Sequence, residues 1–460
     1  STGISLEDSK SVIKSLSELP DFWDINVGSA SDMLTSRFKK EGWQEENISF
    51  IKKITSKPVV GVSRYTSPDT MASLIKRGII DFIGAARPSI ADPFLPRKIE
   101  EGRLDDIREC IGCNICLASN EMGVPIRCTQ NPTMSEEWRR GWHPEYIPKK
   151  QSNKSVLVVG AGPAGLEAAC TAGKRGYDVI LAEGKKVLGG HLNKLTTLKG
   201  FSEWNRVKDW RISQIQKMTN VEVYKDSYLT DEDVIETNSD YIIIATGSKW
   251  HNDGVGFSNH FPIKGYTLPH VYSPEKILDG NLSSSPTIVF DDDAHFMGSA
   301  IAEKLAINGH NVKLVTPFPQ VAPWTRFTFE QTYTQKNLIK LGVEIFSHRN
   351  IKEIKNDHVI ASGMYGEMDI SLEASSVVLV TMRSPIISLY NKLRTKLSTP
   401  NYRGKKLNLA GDCLAPGLLS EAIFSGHLVA RELDKTKVSD IPFSIEQINS
   451  KYIPTFPIEK

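Results

Sequence analysis

Three short apolar runs, Phe22 to Val27, Pro58 to Val62 and Ile79 to Ile83, alternate near the start of the chain with helical stretches such as Asp69 to Arg77. That alternation is the rhythm of parallel β/α units. Three such units cannot close a (β/α)8 barrel, which needs eight strands. Residues 1–105 therefore read as the carboxyl-terminal part of a barrel, and an amino-terminal truncation is expected. A cysteine-bearing segment follows over 106–150 and ends in a polar, Pro- and Lys-containing linker, His143 to Lys154. From Ser155 a continuous apolar strand opens a doubly wound nucleotide domain over 151–275, completed by 400–460, where a helix is predicted over Leu419 to Glu432. A second strand–helix–strand unit, Thr287 to Val315, places another nucleotide-type domain over 276–399. The predicted fold class is α/β: a partial barrel, the cysteine segment, and two doubly wound domains.

Composition narrows the partners. At 460 residues the chain suits roughly three domains. Lysine plus arginine (56) nearly balance aspartate plus glutamate (54), so no basic field exists to hold nucleic acid or an anionic membrane. No apolar run approaches the roughly 20 residues that span a bilayer, and Ser1 to Lys10 lacks a signal peptide's regions. A cytoplasmic location is the expectation, with small molecules or proteins as partners.

Six cysteines are too few for a secreted disulfide scaffold, and four of them fall within nineteen positions. Cys110, Cys113 and Cys116 are spaced C-x2-C-x2-C, and Cys128 follows after eleven residues. Two-residue gaps let successive thiolates wrap one face of a cubane, which a fourth ligand from a later loop closes, as in [4Fe–4S] sites. A structural zinc site or chance spacing are the alternatives, although zinc usually pairs two C-x2-C knuckles. Cys170 and Cys413 read as packing residues.

Gly160-Ala161-Gly162-Pro163-Ala164-Gly165 follows an apolar strand and opens a helix, with Glu183 about twenty residues on. Such glycines let the backbone approach a pyrophosphate while the acid takes a ribose hydroxyl; a plain tight turn is the alternative. Gly189-Gly190-His191, Ala245-Thr246-Gly247 and Gly411-Asp412 add the loops of a flavin-type nucleotide domain, so FAD or its ADP fragment is the expected ligand. The second unit departs from this pattern. After Thr287 to Phe290 it reads Asp291-Asp292-Asp293-Ala294-His295-Phe296-Met297-Gly298, where side chains and carboxylates both oppose a pyrophosphate. The fold of an NAD(P)H domain is expected there without its ligand. In the barrel part, Gly61-Val62-Ser63-Arg64 and Gly84-Ala85-Ala86-Arg87-Pro88 end consecutive strands, the place where such barrels bind a cofactor phosphate.

Taken together, these motifs resemble the trimethylamine dehydrogenase and dienoyl-CoA reductase family of iron–sulfur flavoproteins, most closely around Gly84 to Pro96, Glu109 to Cys116, Cys128 to Pro144 and Ser155 to Gly165. The resemblance implies FMN on the barrel at Arg64, Ala86 and Arg87, the cluster on the four cysteines, and a dinucleotide along Gly162, Glu183 and His191. Asp32 matches the aspartate that family members place beside the substrate; a solvated loop acid or helix cap is the other reading. The degenerate second turn looks like the amine dehydrogenase branch, which gives electrons to an electron-transfer flavoprotein, more than the reductase branch, which takes them from NADPH. The aromatic cage for a trimethylammonium head is not found: Asn120 stands in one such position, and the Gly28 to Asp32 loop has no Trp. The Asp32 to Phe38 segment looks more like the branch that demethylates N-methylated amino acids such as dimethylglycine or N-methylproline. The expected function is oxidative demethylation of a small N-methylated amine or amino acid by a homo-oligomer. An NAD(P)H-dependent enoate reductase and an electron-transfer subunit without its own substrate are the rivals.

Overall fold

The structure, a computed structural model, describes residues 3–28, 32–281, 284–402 and 404–435. The part of the expected domain completion at 436–460, and residues 29–31 of the loop before Asp32, lie outside the described residues.

The amino-terminal part forms a three-stranded parallel sheet in the order β1-β2-β3, with β1 Trp23–Ile25, β2 Val59–Val62 and β3 Phe82–Gly84. Helix α1 (Pro68–Lys76) crosses between β2 and β3, starting at a proline whose fixed φ suits a first helical position. The helix α2 (Ala86–Ala91) leaves the carboxyl end of β3 almost at once. The cysteine segment has little regular structure beyond α3 (Ile115–Glu121).

The first nucleotide sheet is parallel, in the order β18-β7-β4-β5-β6, from Lys406–Leu409, Tyr241–Ile244, Val156–Val159, Val179–Ala182 and Val221–Tyr224. Every residue of the central β4 and β7 is buried, which is why both read as unbroken apolar runs rather than alternating ones. Helices α4 (Pro163–Lys174), α5 (Asn205–Gln216) and, from the carboxyl-terminal return, α8 (Leu419–Arg431) belong with this sheet, and β18 completes it from far along the chain.

The second sheet runs β12-β11-β10-β16-β9, from Glu344–Phe346, Val312–Val315, Thr287–Asp291, Ser376–Val380 and Val271–Tyr272. Helix α6 (Phe296–Ile307) follows β10, and α7 (Gln331–Lys340) follows β11. An antiparallel three-stranded sheet, β13 Arg349–Ile354, β14 His358–Gly363 and β15 Ile370–Glu373, is inserted before β16. The short antiparallel pair β8 (Ser248–Trp250) and β17 (Arg383–Pro385) bridges the two doubly wound units. Among the described residues no helix is long and apolar enough to cross a membrane.

The units are also tied by buried polar contacts. Arg37 pairs with Glu303 of α6 at 2.8 Å, with side-chain exposures of 3% and 6%. Thr35 donates to the buried Glu330 at 2.6 Å.

Candidate functional site: a four-cysteine cavity and a glycine-rich loop

Cys110, Cys113, Cys116 and Cys128 line one cavity with Arg87, Asn114, Thr129 and Gln130. All four are free thiols. Asn114, in the left-handed region at φ 57°, turns the chain so that α3 begins directly after it and Cys116 sits in the first turn. The Cys110 amide donates to Thr66 Oγ1 at 2.6 Å, the Gly112 amide lies 3.4 Å from Cys110 Sγ, and Thr129 Oγ1 lies 3.2 Å from Cys113 Sγ. Burial drives the Cys113 thiol up to about 11 and that of Cys116 up to about 12, and Cys128 is raised as well; thiolates this close also repel one another. Burial by itself thus opposes the ionised form that a metal would need, and cationic iron would reverse that balance. No group of three or more His, Cys, Asp and Glu side chains among the described residues converges as ligation of one ion requires. Four thiols lining one cavity are a donor set that suits a four-iron cluster, and also a zinc ion.

The barrel arginines approach this cavity from the sheet side. Arg64 follows β2 in the left-handed region, is buried, and donates to the Lys39 carbonyl at 2.8 Å. A Cβ on Gly112 would stand 2.3 Å from its Nη1, so only glycine lets the cysteine loop lie against this guanidinium. Burial lowers the Arg64 pKa, with Cys110 opposing and Arg87 adding to the shift. Arg87 donates to Asn114 Oδ1 at 2.6 Å, and Ala86 opens α2. The structure therefore brings Arg64, Ala86 and Arg87 together with the cysteines. Tyr333 of α7 donates to the Asp32 carboxylate at 3.2 Å, and the next residue, Met33, accepts from Asn114 Nδ2 at 2.6 Å. Asn120 is exposed on α3.

At the first nucleotide unit, Gly160 (φ 100°) ends β4, and Gly162 stands immediately before α4 in extended backbone. Glu183, at the end of β5, accepts the Ala161 amide at 2.8 Å and the Lys185 amide at 3.0 Å. Its carboxylate thus braces the glycine loop. The Gly189 amide donates to Ala161 at 2.8 Å, which lays the Gly189–His191 loop over the first one. Burial lowers the His191 pKa, so the ring is neutral near pH 7. Gly411 follows β18 against Ala164 of α4, so the three loops meet at one end of the sheet. Asp412 accepts from Ser248 at 2.7 Å and pairs with Arg383. Cys170 and Cys413 are buried, as packing residues are.

At the second unit the carboxylates fill their own turn. Asp291 is completely buried, and neither of its oxygens makes a well-formed hydrogen bond. Its side chain packs so closely on α6 that a Cβ on Gly298 would stand 2.3 Å from its Cγ. Burial, then Asp293, raise the Asp291 pKa well above the ordinary value. Burial lifts Asp293 to about 6 and depresses His295 to about 3. A carboxyl whose folded pKa is raised stabilises the fold below its unfolded pKa, and that contribution is lost as pH rises through the folded value. His295, whose depressed pKa makes its part of the stability rise with pH over the same range, opposes Asp293, whose own contribution falls between about pH 4 and pH 6. Asp293→Asn is expected to remove that slope and gain ~1–3 kcal/mol at pH 8, measured by urea unfolding across pH.

Sequence reasoning missed three features here: the Arg383–Asp412 pair, the Tyr333–Asp32 contact, and a buried ion pair between Glu167 of α4 and Arg211 of α5. Only the last left a trace, a lone acid in the run Pro163-Ala164-Gly165-Leu166-Glu167-Ala168-Ala169.

The glycine loop, its bracing acid and the two parallel sheets match residues 154–405 to the family described as pyridine nucleotide-disulphide oxidoreductase. The chain belongs to that family. Residues 4–106 match a second one, the NADH:flavin oxidoreductase / NADH oxidase family. The chain is 38% identical over 94% of its length to dimethylamine dehydrogenase from Hyphomicrobium sp. (strain x), of which it spans 63%. Among solved structures, histamine dehydrogenase from Rhizobium sp. 4-9 superposes with a TM-score of 0.93 at 43% identity, over 97% of this chain and 66% of that one. The 6-hydroxypseudooxynicotine amine oxidase from Pseudomonas geniculata N1 gives 0.90 at 44% identity, over 93% and 64%. The resemblance to the trimethylamine dehydrogenase family stands on these amine-oxidising relatives.

Proposed function

We propose that this protein is an iron–sulfur flavoprotein that oxidises a small N-methylated amine or amino acid and passes the electrons to an electron-transfer flavoprotein. The observation that carries this reading is the four-cysteine cavity set directly against the carboxyl ends of β2 and β3. Barrels of this type bind a cofactor phosphate at that end, here beside Arg64, Ala86 and Arg87, and the cysteines would hold a [4Fe–4S] cluster within reach. Bound FMN would supply the oxidation of the carbon next to nitrogen, and the cluster one-electron transfer. Gly160, Gly162, Gly165, Glu183 and His191, with Gly411 and Asp412, would hold FAD or ADP. The self-filled turn at Asp291 argues against NADPH as the electron source. In this reading Asp32 orients the substrate amine, itself held by Tyr333.

Two missing aromatic faces weaken trimethylammonium binding by ~1–4 kcal/mol, about one to three powers of ten. Trimethylamine is therefore expected to show at least about tenfold lower kcat/KM than dimethylglycine or N-methylproline. Asp32→Asn should lower turnover and leave flavin and iron content unchanged. The deciding experiment offers amines and NADPH separately, without oxygen, to the cofactor-loaded protein and follows flavin bleaching. Bleaching by an amine alone supports the reading. Bleaching by NADPH alone would make the protein a reductase, and bleaching by neither an electron-transfer subunit.

A further inference from the structure

Behind the cysteine cavity lies a network of buried charges that the proposed chemistry does not use. Arg211 of α5 is fully buried. Its Nε donates to Glu167 of α4 at 2.7 Å, its Nη1 to Gln130 Oε1 at 3.0 Å, and its Nη2 to the Gln130 carbonyl at 3.2 Å. Gln130 lines the cysteine cavity two positions after Cys128, and its own Nε2 donates to the Glu109 carbonyl, next to Cys110, at 3.0 Å. One guanidinium therefore pins the residue that joins two of the cysteine-bearing loops. On the far side, Glu167 also accepts from His427 Nδ1 at 2.8 Å and Thr171 Oγ1 at 3.0 Å, while Arg431 donates to His427 Nε2. Burial resists the charge on Glu167, but Arg211 and His427 outweigh it and hold its pKa well below the carboxylate range. The imidazole is neutral, because burial lowers it to about 4.

We infer that Arg211 is a positioning residue that clamps the Cys110 and Cys128 loops through Gln130, and that the Arg211–Glu167 pair sets the reduction potential of the group those cysteines hold. The inference rests on the cluster reading. Reducing an iron–sulfur centre by one electron makes it more negative, so a fixed cation nearby favours the reduced state and a fixed anion opposes it. Arg211 touches the cavity wall directly and Glu167 stands behind it, inside a low-dielectric interior that strengthens both effects. Among the described residues neither is hydrogen-bonded to Cys110, Cys113, Cys116 or Cys128, so their influence acts through Gln130 and through the field.

The test is a spectroscopically monitored redox titration of the cluster in the cofactor-loaded protein and two variants, with iron and sulfide assayed on the same samples. Arg211→Gln should lower the potential and Glu167→Gln raise it, each changing the reduced-to-oxidised ratio at a fixed potential about tenfold, or ~59 mV for one electron. Arg211→Lys, which keeps the charge but loses the fork, should stay within about threefold of the unsubstituted ratio. Loosening of the fold alone would move both glutamine variants the same way. Full iron and sulfide with unchanged potentials, or with shifts of the same sign, would overturn the inference. A protein without sulfide would overturn the cluster reading and this inference together. Should Arg211→Gln fail to fold, the sign of the Glu167→Gln shift decides alone: a fall or no change refutes it.

Discussion

Gly165→Ala is expected to abolish nucleotide binding and to destabilise the first nucleotide unit, whereas Gly162→Ala should cost binding alone. A Cβ on Gly165 would stand 1.8 Å from the Gly160 carbonyl oxygen, so the strand-to-helix turn has to open before any ligand arrives. Forcing one methyl into such a packed contact costs ~1–3 kcal/mol and displaces the amides that face the phosphates. Gly162 has nothing within 4 Å of its added Cβ and keeps a negative φ of −72°, so the fold tolerates alanine there. In the proposed reading, what alanine would obstruct at that position is a bound pyrophosphate. Calorimetric titration with ADP should show a loss of about a hundredfold or more, some 2.7 kcal/mol, for both variants, with thermal stability lowered only in Gly165→Ala. Equal stability loss in both would mean that the two glycines share one structural role.

The second large effect concerns the ion pair that joins the barrel part to the second unit. Glu303→Leu should destabilise the protein by ~3–5 kcal/mol, because Arg37 is left buried and unpaired. Its Nε and Nη1 already lack hydrogen-bond partners, so Glu303 is the main compensation for its charge, assisted by the Phe38 and Phe201 rings at 5.2 and 5.4 Å. The double variant Arg37→Met with Glu303→Leu removes both charges and should recover most of the loss. Urea unfolding of the two single variants and the double one supplies the cycle; a double variant as unstable as the sum of the singles would show that the charges are not coupled.

The parts of the site that were legible in the sequence are those with a local backbone requirement. The C-x2-C-x2-C spacing and the Gly160 to Gly165 turn can be read because turning a chain around a cluster or a phosphate restricts residue type over a few positions. The strands β4 and β10 were legible because burial on both faces leaves no polar alternation. Contacts between distant segments were not. Tyr333 reaches Asp32 across 301 positions, and Arg211 reaches Gln130 across 81, with no periodicity to announce either. The arginines after β2 and β3 were recognisable as strand-end cations, but only the fold shows that Arg64 lies against Gly112 and Arg87 against Asn114. Likewise the three-aspartate turn announced a lost phosphate site, while the burial of Asp291 against Gly298 shows what fills the space.

The central claim is that Cys110, Cys113, Cys116 and Cys128 jointly hold one four-iron cluster beside the flavin end of the molecule. Its most direct test is the content of iron and acid-labile sulfide after anaerobic reconstitution, measured for the protein and for Cys113→Ala. About four iron and four sulfide per chain, with the full cluster absent from Cys113→Ala, is the predicted result. One zinc per chain without sulfide, or an unchanged cluster in Cys113→Ala, would contradict it.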